Sequence, residues 1–318
     1  MVRNLLLLRH GHTKNAHPEG DFYRELKNKG KRNVQRIGVW LQENDLRPEL
    51  ILASPAERAR TTAAKSCKAA GLSTNIIANV PRLYNAAPID LRGAVAKTPN
   101  SVECLMVVAH NPGLSMLVGQ LSNHYLAMAP ATLVHLQFDG SWKDISRCHC
   151  VNIVEGANLP EDFPFHGPNG IESRIRPAYY YKQSGVVPYR IVDGELQVLL
   201  ISSSSGKHWV MPKGIHDPGM SAQESAENEA REEAGVKGLV ADFLLGRYCY
   251  EKWDATCDVQ IFPMAVSHEL TPHEWEESHR LRKWVSLAAA IELVNNPSLS
   301  DIIGKLPAYL EGLQHDDD

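Results

Sequence analysis

Leu5-Leu6-Leu7-Leu8-Arg9-His10-Gly11-His12-Thr13 decides how the first half of the chain is read. A run of four leucines is far short of the roughly 18 apolar residues of a membrane span, and reads as a short buried strand. It runs without a spacer into a cation and two imidazoles. The pattern recurs twice. Leu50–Ala53 leads into Ser54-Pro55-Ala56-Glu57-Arg58-Ala59-Arg60-Thr61-Thr62-Ala63, and the apolar run 105–109 leads into His110-Asn111-Pro112-Gly113. Helical spacing fills the intervals at 34–43, where Ile37, Trp40 and Leu41 share a face, and at 56–70 and 113–121. Alternation of this kind predicts an α/β domain with a mainly parallel sheet. Ligands of open α/β sheets bind at the carboxyl ends of the strands, so Arg9, His10, Arg58 and His110 are expected at one sheet edge.

That set suits phosphoryl transfer. A guanidinium matches the spread charge of a phosphoryl group bidentately and never loses its own charge. An imidazole nitrogen can act as nucleophile and divide one hard step into two. A second histidine donates to the phosphoryl oxygens, and with arginines supplying the charge no metal is expected here. Arg60 is read as a solvated helix residue.

The three stretches, in this order, resemble the R-H-G, S-P-x-x-R-A-x-x-T-A and V-x-H-N-P-G signatures of the histidine phosphatase (phosphoglycerate mutase-like) superfamily. Trp40-Leu41 and Leu83-Tyr84-Asn85-Ala86 are similar to its short SixA-type phosphohistidine phosphatases. The resemblance covers nearly all of 1–145 and implies a three-layer α/β fold. It also implies His10 as nucleophile, with Arg9, Arg58 and His110 in the phosphate pocket and Arg24 binding substrate. Two features depart from the wider pattern. Ala16 stands where mutase-like members have asparagine. No acid for the leaving group is evident, with Asp21, Asp90 and Glu103 as candidates.

Prolines 160, 164, 168 and 177 and glycines 156, 167 and 170 interrupt every periodicity near residue 160. The expected division is a domain over 1–151, a linker over 152–176 and a second domain over 177–318. Beyond the linker, apolar runs at 185–192 and 196–201 flank Asp193-Gly194-Glu195, a hairpin signal. One strong helix is expected at 221–234, with Ser221 as N-cap, Glu224 at capping-box spacing and Gly235 as its stop. Further strands at 248–250 and 259–266 and a helix at 287–294 suggest an α+β domain with a mixed sheet.

On that helix Glu229, Glu232 and Glu233 share one face. Like charges so close repel unless a cation such as Mg²⁺ or Mn²⁺ binds through oxygen ligands. The stretch from Gly214 to Val236 resembles the Nudix box, G-x5-E-x7-R-E-U-x-E-E-x-G-U, where U is apolar. Glu229, Glu232 and Glu233 fall on its glutamates, while Met220 and Asn228 replace the glutamate and arginine that commonly brace the loop. The entry His208-Trp209-Val210-Met211-Pro212-Lys213-Gly214 and the later 276–284 are similar to Nudix enzymes acting on dinucleoside polyphosphates or diphosphoinositol phosphates. The resemblance covers about 178–296 and implies a Nudix fold with Mg²⁺ or Mn²⁺ on the three glutamates. It implies Lys213 and Gly214 at the substrate, and Glu229 or one of Glu274, Glu276 and Glu277 as base.

Composition agrees with a globular protein: 318 residues, 43% hydrophobic and 22% charged. Its net charge of −4 hides an asymmetry, since residues 1–150 carry 19 Lys and Arg against 11 Asp and Glu, and residues 151–318 carry 14 against 26. A basic half favours anionic ligands and an acidic half needs cations or solvent. Six cysteines form no disulfide framework, which suggests a reduced, cytoplasmic setting. Cys148-His149-Cys150 lacks a second pair at zinc spacing. The basic stretch 27–36 has no interleaved aromatics, so nucleic acid is not expected as partner, and with no stretch approaching roughly 18 apolar residues neither is a membrane. The expected partners are phosphorylated small molecules, nucleotides or polyphosphates. The leading expectation is a bifunctional phosphohydrolase. The alternative is a phosphatase of phosphohistidine proteins whose Nudix domain is silent and serves as sensor or docking module.

Overall fold

The computed structural model describes residues 2–167 and 170–316. It divides into two compact units, Met1–Pro177 and Ala178–Asp318.

The first unit runs β1 (Val2–Arg9), α1 (Asn28–Glu43), β2 (Leu50–Ala53), α2 (Glu57–Ala69), β3 (Ile77–Asn79), α3 (Pro88–Val95), β4 (Cys104–Ala109), α4 (Gly113–Ser122), β5 (Thr132–Asp139), β6 (His149–Glu155), β7 (Phe163–Gly167) and β8 (Gly170–Arg174). Its six-stranded sheet has the order β3-β2-β4-β1-β5-β6. The first four strands are parallel, and β5 and β6 are antiparallel additions. The leucine run is buried on both faces, as its unbroken apolar character requires. Leu5 and Leu7 pack with Leu114 and Leu117 of α4, whereas Leu6 and Leu8 pack with Ile37 and Leu41 of α1. The result is helices on both sheet faces. Parallel pairing of β1 with β4 sets Arg9 beside Ala109, so the residues that follow, His10 and His110, leave the sheet together.

The expected linker is folded instead. Residues 149–155 form the edge strand β6, and β7 pairs with β8 in a separate two-stranded ribbon. The unit boundary falls after Pro177 rather than at 151. Proline hides strand character, yet a two-stranded ribbon leaves outward-facing N–H positions unpaired, and Pro164 sits in one such strand. Pro168 lies outside the described residues.

The second unit runs β9 (Lys182–Val192), β10 (Glu195–Ser202), β11 (Trp209–Val210), β12 (Lys213–Ile215), α5 (Ala222–Glu233), β13 (Val236–Val240), β14 (Gly246–Lys252), β15 (Ala255–Glu269), β16 (Arg282–Ser286), α6 (Leu287–Leu293), α7 (Pro297–Ile303) and α8 (Leu306–Asp316). The path β11-β10-β9-β15-β13 forms a mixed sheet, to which β12, β14 and β16 add. β9 and β15 pair in parallel, and the hairpin at Asp193-Gly194 joins β9 to β10. Ala226, Ala230 and Ala234 of the α5 segment lie on Val186, Leu199, Ile201 and Phe262. The opposite sheet face packs on Ala290, Leu299, Ile302 and Ile303 from α6 and α7. Ser221 and Glu224 form the capping box reciprocally, at 3.1 and 2.7 Å, which fixes where α5 begins.

Candidate active sites

In the first unit the carboxyl ends of β1, β2 and β4 gather Arg9, His10, Ser54, Arg58 and His110. His10 and His110 are each more than nine-tenths buried, with ring centroids 5.1 Å apart. The His10 Nδ1 lies 2.9 Å from the Gly11 carbonyl, a contact it makes as donor, which leaves Nε2 with its lone pair. Burial, reinforced by Arg58, Arg9 and Arg24, pulls the His10 imidazole down to about 4. Burial, then the neighbouring His10 and Arg58, pulls His110 down to about 3. Both rings are neutral at pH 7, the state a nitrogen nucleophile requires.

Around them sit donors without partners. The Nε atoms of Arg9, Arg24 and Arg58 and the Nδ1 of His110 are buried and unpaired. Unmet buried donors are costly, and several converging in one place fit an anion. The other polar atoms are held. Arg9 gives Nη1 to the Met128 carbonyl at 2.5 Å, and with its proton on Nδ1 the neutral His110 accepts at Nε2 from the Ser54 hydroxyl at 2.7 Å. Arg58 spans the Asp21 carbonyl at 2.6 Å and its carboxylate at 2.8 Å. Arg24 reaches the other Asp21 oxygen at 3.1 Å, and the Tyr84 hydroxyl donates to Asp21 at 3.0 Å.

Arg24 thus joins the predicted set, and Arg60 is exposed on α2 as expected. Of the three candidate acids, Asp21 alone touches these residues. Hydrogen bonding from Tyr84 and the Arg58 charge hold it below the usual carboxylate range even against its desolvation, so it is ionised and has no proton to give. Glu103 precedes β4, at the end of the strand opposite His110. Sequence reading missed Tyr84 as a site residue. Its ring stands edge-on to His110 at 5.7 Å and beneath Arg58 at 5.8 Å. Thr62, which accepts the Gly11 N–H at 3.1 Å, was also missed. Both belong to the quoted motifs, but only their packing shows what they hold.

In the second unit α5 presents Glu229 and Glu233 to the β12 strand. A side chain at position 214 would meet the Glu229 carboxylate at 2.1 Å, so Gly214 is what lets that carboxylate lie against the backbone. Among the described residues Glu229 accepts no hydrogen bond. Burial, then the charges of Glu233, Glu232, Asp217 and Glu277, push its carboxyl up to about 8. Glu233 is compensated, by the Lys213 N–H at 2.9 Å and Arg280 at 2.6 Å. Glu232 contacts Arg231 at 2.9 Å. Among the described residues no group of three or more His, Cys, Asp and Glu is assembled to hold a metal ion. The three glutamates therefore converge electrostatically without forming a ready cage. Their chemistry, carboxylate oxygens with Glu229 uncompensated, fits a hard divalent cation.

Lys213 Nζ is held 3.2 Å from both Gln183 Oε1 and Tyr250 Oη, over the Tyr250 ring. It borders a cavity of about 210 Å³ lined also by Trp209, Tyr248 and Asn296. Of the three possible loop bases, Glu277 is the one whose charge bears on Glu229, whereas Glu274 turns back to Thr271. The missing Glu–Arg brace has a neutral substitute. Asn228 Nδ2 points at Met220 Sδ at 3.8 Å, and His216 Nε2 lies 2.8 Å from the Met220 carbonyl.

Nudix hydrolase 16, mitochondrial, of Arabidopsis thaliana is 32% identical to this chain over 139 residues, covering 38% of this chain and 76% of that protein. The chain belongs to the Nudix hydrolases. The NUDIX domain model matches residues 182–303 of this Nudix hydrolase, and the histidine phosphatase superfamily (branch 1) model matches residues 5–80. A histidine phosphatase domain is thus joined to a Nudix domain in one chain. Nudix hydrolase 21, chloroplastic, of the same plant is 42% identical over 130 residues, 39% of this chain, which spans 64% of that relative's length. A bis(5'-nucleosyl)-tetraphosphatase [asymmetrical] of Caenorhabditis elegans is 28% identical over 138 residues, 41% of this chain and 97% of its own length. Nudix hydrolases generally use a divalent metal such as Mg²⁺. No helix among the described residues is long and apolar enough to cross a membrane.

Proposed function

We propose that this Nudix hydrolase is a bifunctional phosphohydrolase with two independent sites. The observation that carries the reading is an opposite charge imbalance in the two units. Buried, unpaired donors converge around His10 and His110, whereas at Glu229 burial and the neighbouring carboxylates push the carboxyl up.

At the first site Arg9, Arg58 and His110 hold a phosphoryl group, with Arg24 at its rim. His10 Nε2 attacks phosphorus, the bond to the leaving oxygen breaks, and that oxygen keeps the electron pair. Water then attacks phosphorus, the P–N bond breaks, and His10 is restored as phosphate departs. Asp21 and Tyr84 hold Arg58 in place throughout.

At the second site Glu229, with Glu232 and Glu233, would hold Mg²⁺ or Mn²⁺, which supplies Lewis acidity to a phosphoanhydride and a more acidic bound water. Lys213 orients the substrate phosphate chain, and Gly214 leaves room for Glu229. Glu277 or Glu229 takes a proton from the attacking water. The Trp209, Tyr248 and Tyr250 walls suit a flat base, which supports nucleotide substrates such as dinucleoside polyphosphates over diphosphoinositol phosphates, whose charge would need more cations than Lys213 supplies. The relative named as a tetraphosphatase supports the same class.

The test is product analysis with the full chain. Diadenosine tetraphosphate plus Mg²⁺ is expected to be cleaved by water attack within the phosphate chain. Rapid quenching with labelled p-nitrophenyl phosphate is expected to trap acid-labile phosphate on His10. Label on another residue, or none during turnover, would overturn the first assignment, and no cleavage with any divalent metal would overturn the second.

A further inference from the structure

Resting on the reading of the first site as a phosphatase, we infer that it takes the terminal phosphoryl group of a phosphoanhydride, such as a nucleoside diphosphate, and that His12, Lys27 and Lys29 seat the second phosphate.

Two independent observations lead there. The first concerns protons. His10 and His110 are neutral and Asp21 is ionised, so none of these groups can protonate a leaving group at neutral pH. An alkoxide, as basic as it is, would leave slowly. A phosphate leaves without help, because its oxygen is only weakly basic and already shares its charge. The terminal group of a diphosphate therefore suits this pocket better than a simple sugar phosphate ester.

The second concerns the rim. His12 stands two residues after the nucleophile, and its Nδ1 is buried without a partner. After its desolvation, the charges acting on this imidazole are Lys29, Arg9 and Lys27, all cationic. Neither Lys27 nor Lys29 forms an ion pair among the described residues, and of the three acids on the same loop two are committed, while Glu19 forms no ion pair among the described residues. Asp21 serves Arg58 and Arg24, and Glu25 pairs with Lys14. The first turn of α1 is pressed against this segment. The Lys27 N–H donates to the His12 carbonyl at 2.8 Å, and a side chain at Gly30 would strike that carbonyl at 2.2 Å. No side chain caps α1, so its free N–H groups add partial positive charge beside His12. One phosphoryl group in the His10 pocket leaves this rim unmatched. A second phosphate bonded to it would match the charge that Lys29, Arg9 and Lys27 place around His12.

The step balances simply. His10 Nε2 bonds to the terminal phosphorus, and the bond from that phosphorus to the bridging oxygen breaks. The nucleoside monophosphate leaves with the electron pair on that oxygen. Hydrolysis of the phosphohistidine gives inorganic phosphate and returns His10.

The experiment uses the full chain in chelator, which keeps the Nudix site idle, and compares ADP, AMP and p-nitrophenyl phosphate. ADP is expected to exceed AMP in kcat/KM by at least about 100-fold. The double variant Lys27→Met, Lys29→Met should lose about tenfold on ADP and under twofold on p-nitrophenyl phosphate. Raising salt should erode the ADP advantage, because exposed charges are screened. Equal rates on ADP and AMP, or equal losses on ADP and p-nitrophenyl phosphate in the variant, would overturn the inference while leaving the phosphatase reading intact. No turnover of p-nitrophenyl phosphate and no label on His10 would overturn both.

Discussion

Replacing Glu229 by glutamine should stabilise the metal-free protein at alkaline pH. The Glu229 carboxyl is raised from its ordinary range to about 8 by burial and by Glu233, Glu232, Asp217 and Glu277. A raised carboxyl binds its proton more tightly in the folded state than in the unfolded one. Below the unfolded value, near pH 4.5, both states are protonated and the shift has no effect. Between about pH 4.5 and 8 the folded state pays progressively, and above pH 8 the full penalty applies, at most about 5 kcal/mol. Glutamine removes this charge but leaves a buried amide with unmet hydrogen bonds, which costs about 1–3 kcal/mol. The net gain is about 2–3 kcal/mol at pH 8.5, or roughly 7–10 °C in Tm for a unit of this size. At pH 4.5 the gain should vanish, leaving a small loss. Thermal unfolding of wild type and Glu229→Gln in chelator at the two pH values reads this directly. Mg²⁺ should raise the wild-type Tm at pH 8.5 and barely move the variant. A variant destabilised equally at both pH values would refute the reasoning, since Glu229 would then be neither uncompensated nor the anchor of a cation.

Other expectations follow from the same geometry. His10→Ala should abolish phosphatase turnover, seen as loss of trapped phosphohistidine, while Mg²⁺-dependent cleavage of diadenosine tetraphosphate persists. Arg58→Lys should lower phosphatase kcat/KM at least about 100-fold, because an ammonium cannot match the guanidinium geometry that spans Asp21 and the phosphoryl seat; less than threefold loss in steady-state assays would remove Arg58 from the pocket. With His10 held at about 4, phosphatase kcat/KM should stay level from pH 7 to 5 and fall only as pH drops through about 4; a profile falling near 6.5 would mean an ordinary, solvated imidazole.

Much of both sites is written locally. Arg9, His10, Arg58 and His110 follow apolar runs, and parallel β1–β4 pairing does the rest by bringing residues 10 and 110 to one edge. The face shared by Glu229 and Glu233 follows from helix periodicity alone. What the sequence hid depends on contacts between distant segments. Tyr84 is site-lining only because the turn after β3 passes over Arg58. Asp21 gains its partners from α2 and from Tyr84, and could not be separated from Asp90 or Glu103 before that packing was seen. The neutral Asn228–Met220 contact looks, in the sequence, like the loss of a brace, because the pairing of amide with sulfur has no motif. The β7–β8 ribbon was hidden by proline and glycine, which signal breaks in larger sheets more often than strands.

The central claim is that two chemistries of opposite charge logic act in separate units of one chain. Its most direct measurement assays one preparation on p-nitrophenyl phosphate and on diadenosine tetraphosphate, each with Mg²⁺ and with chelator, for wild type and Glu229→Gln. The account predicts that chelator and Glu229→Gln each stop tetraphosphate cleavage and leave p-nitrophenyl phosphate turnover within twofold. Parallel loss of both activities would contradict it.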